Sequence, residues 1–317
     1  MKNILLLTGL FFVAVFGYTQ QLTLNSLYLF NETIINPAAA GSKEYIPIHT
    51  SFRRQWAGLA DAPTMQTVTA HGYAGKRMGI GGVLYNDVAG PSRRSGIQIN
   101  TSYHLRLDKE DKNRLGMGLS MSLSQNTIDV NKINTYLPDD PAVARGFNNQ
   151  MVPDLNAGLY YYNTNKAFFG ISAHNLVESR KDLYRFDEIV YNPLVRTYYV
   201  AGGYTFNIGN NFKFRAMALG QAIETLNYQV DATGLLIIKD LMWLGASYRH
   251  QDAIVFLGGI QLGALKVGYA YDFTRSELMN HATGSHEVFV EIQIFPKNSQ
   301  TIDVPWLKRN RIYSPKI

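Results

Sequence analysis

Arg114-Leu115-Gly116-Met117-Gly118-Leu119-Ser120-Met121-Ser122-Leu123-Ser124-Gln125 changes character at every residue. Successive Cβ atoms of an extended chain point to opposite faces. Read as a strand, the stretch gathers Leu115, Met117, Leu119, Met121 and Leu123 on one side and Gly116, Gly118, Ser120, Ser122 and Ser124 on the other. One face is apolar and the other is small and polar. The segment before it repeats the pattern, with Ile97, Ile99, Thr101, Tyr103 and Leu105 against Gln98, Asn100, Ser102, His104 and Arg106. Near the C-terminus Val288, Val290, Ile292 and Ile294 oppose Glu287, Glu291 and Gln293.

A soluble sandwich also alternates. These runs are longer than the roughly five or six residues of a soluble strand and match the roughly 9–11 that a membrane strand needs. Their polar faces are too polar for a protein core and read as a wet lumen. A sheet that crosses lipid must pair all of its backbone, so it closes into a barrel. The expected fold is therefore all-β: a transmembrane antiparallel barrel over residues 46–295. About fourteen strands are expected, near 46–53, 64–72, 77–87, 94–107, 113–127, 154–163, 166–174, 195–206, 212–221, 226–238, 240–250, 253–262, 264–273 and 286–295. Loop lengths give a second pattern. Connections after even-numbered strands are short, as at Tyr73–Lys76, Asp108–Lys112 and Lys239-Asp240. Several after odd-numbered strands are long, at 54–63, 128–153, 175–194 and 274–285. Short periplasmic turns and long external loops are the habit of outer-membrane barrels, so the even turns are expected in the periplasm and the odd loops outside.

Bulk composition agrees with that localisation. Charged residues make up 17 %, against roughly 25 % in soluble domains, while Tyr (20), Phe (16) and Gly (27) are plentiful. The absence of cysteine excludes disulfides, thiolate metal sites and a lipidated N-terminus. The net charge of +6 is scattered and accompanies no nucleic-acid motif; basic side chains near lipid or lipopolysaccharide phosphates are the expected use. Lys2, the apolar run Ile4–Phe16 and the small residues around Gly17 and Thr19 read as a cleavable signal peptide over 1–19. Residues 20–45 do not alternate and are expected to form a plug or hatch in the lumen, with a loose periplasmic arm as the alternative. Residues 296–317 form a basic tail beyond Pro296. Lys308, Arg309 and Arg311 are its candidate contacts for an acidic periplasmic partner, against the plain alternative of a solvated end.

Catalytic constellations are missing. No Gly-x-Ser-x-Gly elbow occurs, the seven histidines are dispersed, and none forms a His-Glu-x-x-His pair. His286 and Glu287 are adjacent on a strand and so point apart. Gly79-Ile80-Gly81-Gly82 lacks the spacing and helix of a phosphate loop and more simply marks a close backbone approach. Asp139, Asp140 and Asp154 fit no calcium-loop spacing and read as solvated loop residues. No enzyme activity, metal or other cofactor is expected. Arg53-Arg54-Gln55-Trp56-Ala57-Gly58 is the cluster of most interest, expected at the outer rim of the first strand. Its Arg53, Arg54, Gln55 and Trp56 are read either as a lipid-interface anchor or as a partner-docking or plug-locking group.

These elements together resemble a known family. Asn36-Pro37-Ala38-Ala39-Ala40-Gly41 is followed by Arg53-Arg54-Gln55-Trp56-Ala57-Gly58 and Ala62-Pro63-Thr64. Gly79-Ile80-Gly81-Gly82, Gly268-Tyr269-Ala270-Tyr271-Asp272 and Gly284-Ser285-His286-Glu287 come later in the same order. The set is similar to the PorP/SprF family, outer-membrane proteins of the type IX secretion and gliding machinery of Bacteroidota, over about residues 25–295. The Asn36-Pro37-Ala38 element also looks like the hatch of fatty-acid-channel barrels. The resemblance implies a non-enzymatic barrel that works with type IX components. Its implied partner is a cognate secreted protein, often an adhesin with a C-terminal sorting domain, and Asn36 and Pro37 join the candidate plug-locking residues. A solute-transport barrel and a scaffold for periplasmic subunits are the alternative roles. Family members tend to end soon after the last strand, so the tail through Ile317 is this chain's most individual feature.

Overall fold

The alternation becomes one closed antiparallel sheet. A computed structural model describes residues 26–129, 132, 150–163, 166–177, 195–223, 228–275 and 282–295. The expected signal peptide, Asp139 and Asp140, most of loops 128–153 and 175–194, and the tail with Lys308, Arg309 and Arg311 lie outside the described residues. Fourteen strands follow in chain order: β1 Ile46–Arg54, β2 Thr64–Gly75, β3 Met78–Ala89, β4 Ser92–Arg106, β5 Asn113–Ile128, β6 Gln150–Asn163, β7 Ala167–His174, β8 Thr197–Ile208, β9 Phe212–Ile223, β10 Tyr228–Ile238, β11 Met242–Arg249, β12 Ala253–Leu262, β13 Leu265–Thr274 and β14 Ser285–Ile294. Each pairs with its sequence neighbours, and β1 closes on β14 in a register running from Ile46↔Ile294 to Arg54↔His286. The largest departure from the expected boundaries is β6, which starts at Gln150. Among the described residues no helix is long and apolar enough to cross a membrane; the chain crosses with strands.

Side-chain periodicity decides which face meets lipid. On β5, Leu119 and Met121 are 65 % and 62 % exposed, while Ser120 and Ser124 between and beyond them are buried. Ile97 and Ile99 on β4, Phe256 on β12 and Val288, Val290 and Ile292 on β14 are exposed in the same way. Aromatic side chains mark both levels of the outer surface. Tyr198, Tyr228, Tyr248 and Phe273 lie near the odd-numbered connections and Phe206, Phe212, Phe214 and Phe295 near the even-numbered ones. An apolar band between aromatic girdles is the outward face of an outer-membrane barrel. Leu119→Arg, near the middle of β5, is therefore expected to destabilise the barrel by roughly 2–4 kcal/mol, measured as urea unfolding from liposomes.

The even-numbered connections are tight. Lys76 and Arg77 both adopt positive φ (49° and 66°), as the two-residue hairpin turn that matches strand twist requires, and Lys239 and Asp240 do likewise (52° and 54°). This end of the barrel is called the turn end below and the opposite end the loop end.

The interior is not the wet lumen expected from the polar face of β4 and β5. Asn100, Ser102, His104, Ser120, Asp154 and Asn156 are nearly inaccessible. Asp154, expected in a solvated loop, faces inward from β6, and its Oδ1 accepts the Val177 N–H at 3.0 Å. Across the barrel the inner faces of β8–β14 mix polar ends with an apolar middle. Met217, Leu219, Leu235, Trp243, Val255, Leu257 and Phe289 form one core with Leu27, Tyr28, Leu29 and Ile35. These last four lie in or beside the first two of three short 3-10 turns, Tyr28–Phe30, Glu32–Ile34 and Pro37–Ala39, that precede β1.

Candidate functional site

The residues that contact segment 26–45 come from strands all around the barrel. At the loop end, Ser26 meets a buried charge cluster. Its N–H donates to Glu287 Oε2 at 2.6 Å and its hydroxyl to the Asp272 carboxylate at 2.7 Å. The Leu27 N–H donates to Glu287 Oε1 at 3.3 Å. Ser26 Oγ in turn accepts from Arg53 Nη1 (2.8 Å) and Arg249 Nη2 (3.1 Å). Arg53 pairs with Asp272 at 2.7 Å and with Glu287 at 3.2 Å, and Arg249 pairs with Asp272 at 3.1 Å and Asp231 at 3.2 Å. All five charged side chains are buried, so each charge must find its partner within the cluster. Strand geometry brings them together. Arg53, Arg249 and Asp272 lie near the ends of β1, β11 and β13, Asp231 near the start of β10 and Glu287 near the start of β14.

Further along, small residues in the wall let the segment's backbone come close. Asn36 caps the turn Pro37–Ala39, its Oδ1 accepting the Ala38 N–H at 2.9 Å, and Pro37 supplies a first position that needs no donor. Asn36 Nδ2 donates to the carbonyls of Leu159 (2.9 Å) and Ile171 (3.2 Å) on β6 and β7. A Cβ at Gly118 would overlap the backbone N and Cα of Ala38, and one at Gly79 would overlap the Ala40 carbonyl. The glycine pattern of β3 and β5 is thus the trace of this close approach.

Three histidines then hold the segment's backbone. His174 Nε2 donates to Ile35 O at 2.8 Å. His104 Nε2 lies 2.8 Å from Ala40 O, while its Nδ1 faces the Tyr162 hydroxyl at 3.1 Å, which fixes the proton on Nε2. His71 Nδ1 accepts the Gly41 N–H at 3.1 Å. Lys43 pairs with Glu32 at 2.7 Å, and Tyr45 packs on Phe295 with ring centroids 5.5 Å apart, where the chain enters β1 at the turn end. Segment 26–45 therefore runs from the loop end to the turn end inside the barrel. At the turn end a cavity of about 330 Å³ remains, bordered by Phe30, Lys43 and Tyr45 from the segment and by the ends of β5–β14.

The Arg53–Trp56 cluster is divided by the strand period. Arg53 points inward into the charge cluster and does not reach lipid phosphate, whereas Arg54 is exposed on the other face. The Gln55 N–H donates to Pro63 O at 2.8 Å. Trp56 adopts φ 51°, and its N–H donates to Ser285 Oγ at 3.1 Å. With the Ala57 N–H donating to Gly284 O at 2.7 Å, it ties the β1–β2 loop to the β13–β14 loop. Glu287 faces inward, whereas His286 meets the Tyr269 hydroxyl at 2.6 Å. Sequence reasoning missed Ser26, Asp272 and Glu287 as partners of Arg53, and Arg249 and Asp231 as the rest of the cluster. Their one sequence signal was polarity on the inner face, and only the register brings them together. Among the described residues no three His, Cys, Asp or Glu side chains are placed to hold a metal ion.

Among solved structures, the Ralstonia pickettii toluene transporter TbuX shares 9% identity at a TM-score of 0.48, covering 83% of this chain and 93% of that one. The Acinetobacter baumannii outer membrane protein Omp33 shares 9% identity at a TM-score of 0.44, over 79% and 98%. A Pseudomonas aeruginosa FadL homologue shares 9% at 0.41, over 79% and 89%. No curated protein matches the chain. A family model described as type IX secretion system membrane protein PorP/SprF matches residues 18–292, almost the whole described barrel. With the closed fourteen-strand sheet and its apolar outer band, that match makes this chain an outer-membrane β-barrel belonging to the PorP/SprF family of type IX secretion system membrane proteins.

Proposed function

We propose that this barrel acts by binding rather than by catalysis or solute transport. Its own N-terminal segment plugs the lumen, and its loop end, on the outside of the cell, holds a cognate secreted protein during export or surface attachment. The observation that carries this reading is the fixation of residues 26–41. Contacts from β1, β2, β4, β6, β7, β11, β13 and β14 hold one short segment, including a charge cluster at the loop end. A segment held at so many points favours a permanently filled barrel over one that opens for each solute molecule. With transport set aside, the surfaces left for function are the two ends. The long odd-numbered connections give the loop end the larger contact area, and the family supplies secretion as the process. In this reading Asn36, Pro37 and Arg53 lock the plug. Trp56 and Gln55 shape the outer rim, and Arg54 sits at the lipid boundary. The turn end and the basic tail, with Lys308, Arg309 and Arg311, face periplasmic type IX components. The secreted partner is adhesin-like and carries a C-terminal sorting domain.

Replacing residues 130–149 by a short Gly-Ser linker is expected to release or mislocalise one surface protein while the barrel keeps its heat-modifiable migration on gels. Unchanged surface proteins in cells carrying that variant would count against the reading.

A further inference from the structure

We propose that the cavity at the turn end is a binding site for a carboxylate carried on an apolar or aromatic body, with Arg215 as its anchor. Of the cavity's cations, Arg215 is the decisive one, because no carboxylate contacts it among the described residues. Lys43 is paired with Glu32. Arg215 donates from Nε to Thr205 Oγ1 at 3.0 Å, and this single bond fixes the plane of the guanidinium. Its two terminal nitrogens take part in none of the hydrogen bonds or ion pairs formed among the described residues.

Lys266 stands opposite Glu291 in the β13–β14 register, yet its Nζ rests 4.0 Å from the centroid of the Phe30 ring instead of in an ion pair. The Glu291 carboxylate is engaged elsewhere, by Gln293 Nε2 at 2.8 Å and by His49 Nδ1 at 3.6 Å. Arg215 therefore sits half-buried in the recess with no carboxylate in contact, and Lys266 beside it keeps only the longer-range attraction of Glu291. Unmatched charge away from bulk water is costly, and an incoming anion relieves it. A planar guanidinium with free terminal nitrogens matches a carboxylate with two parallel hydrogen bonds.

The remaining walls set the body of the ligand. The rings of Phe30 and Trp243 are tilted against each other beside Lys266 with centroids 4.5 Å apart, and Trp243 Nε1 is buried without an acceptor. A volume of about 330 Å³ is at the lower end of the range for small-molecule sites, enough for one ring and a short chain. The site opens at the turn end, so its ligand arrives from the periplasm in the topology proposed above. The carboxylate comes from one of two sources, a free small acid or the end of a polypeptide inserted into the mouth.

The test is calorimetric titration of the full-length barrel in detergent with 4-phenylbutyrate and with its neutral amide, 4-phenylbutanamide. The acid is expected to bind about tenfold or more tightly than the amide, the worth of one charge-assisted hydrogen-bonded contact. Arg215→Gln is expected to erase that preference and Arg215→Lys to keep part of it. Should Arg215→Gln fail to fold, Lys266→Met repeats the test from the second cation. Equal binding of acid and amide, binding of neither, or an unchanged preference in Arg215→Gln would overturn the proposal. A tetrapeptide ending in Phe, free or amidated at its C-terminus, separates the sources. Tighter binding of the free-ended peptide than of phenylbutyrate assigns the site to a chain end. The reverse order assigns it to a small acid.

Discussion

Arg53→Met is expected to unlock the plug at the loop end while leaving the strands paired. Arg53 is buried, bonds Ser26 Oγ, and is the one cation paired with Glu287 among the described ion pairs. Removing it leaves Glu287 without a counter-charge and Asp272 with Arg249 alone. Breaking a buried ion pair from one side costs roughly 3–5 kcal/mol, more than replacing both partners by apolar groups. The cheapest escape is for Ser26 and Leu27 to leave and let water reach the carboxylates. Limited proteolysis of the folded barrel is therefore expected to cut near residues 26–35 in Arg53→Met and to spare the wild type. The double variant Arg53→Met with Glu287→Gln is expected to regain much of the protection, since it removes the orphaned charge and keeps an acceptor for the Ser26 and Leu27 N–H groups. Protection unchanged in Arg53→Met would mean that the cluster does not hold the segment.

Gly118→Val attacks the same segment by shape alone. The new Cβ would fall on the backbone N and Cα of Ala38, and a backbone atom cannot swing aside as a side-chain tip can. Either β5 moves, breaking its ladders with β4 and β6, or the turn Pro37–Ala39 leaves its cradle. The ladders involve 15 and 14 residue pairs, whereas the cradle contact is local, so the turn is expected to leave. Valine is favoured in strands, so the barrel wall itself tolerates the change. In planar bilayers the wild type is expected to be silent and Gly118→Val to show long openings. Ser120→Val, two residues along on the same face, serves as the control for added bulk on the inner face. Silence in Gly118→Val with a folded barrel would show that the wall, not the segment, closes the lumen.

Much of the architecture was legible because a two-sided sheet writes its environment into every second residue. β4 and β5 could be read almost residue by residue, and the tight even-numbered turns fixed the parity of the ends. The interior was legible only in part. Ser, Asn and His on an inner face look the same whether they meet water or a buried backbone, so Asn100 and His104 read as wet when they hold Thr33 and Ala40. On β12, and in the middle of β9, both faces are largely apolar. Met217, Leu219, Val255 and Leu257 therefore gave no sign of which side faces lipid and which the plug. Arg53 and Arg54 read as one cluster because they are adjacent, though the strand period separates them. The partners of Arg53 lie 219 and 234 residues away along the chain except for Ser26, a distance that only the barrel's closure bridges. Gly79 did announce a bend or a close approach, without naming what approaches, whereas Gly118 read only as a small residue on an inner face.

The proposed role, a plugged barrel that holds a secreted protein, is tested by affinity purification of the tagged full-length barrel from gently solubilised native outer membrane, with mass spectrometry of what accompanies it. A large secreted protein bearing a C-terminal sorting domain is expected to accompany it, and to be lost when residues 130–149 are replaced. A barrel that comes away without any secreted protein, and that conducts in planar bilayers as the wild type, would contradict that role.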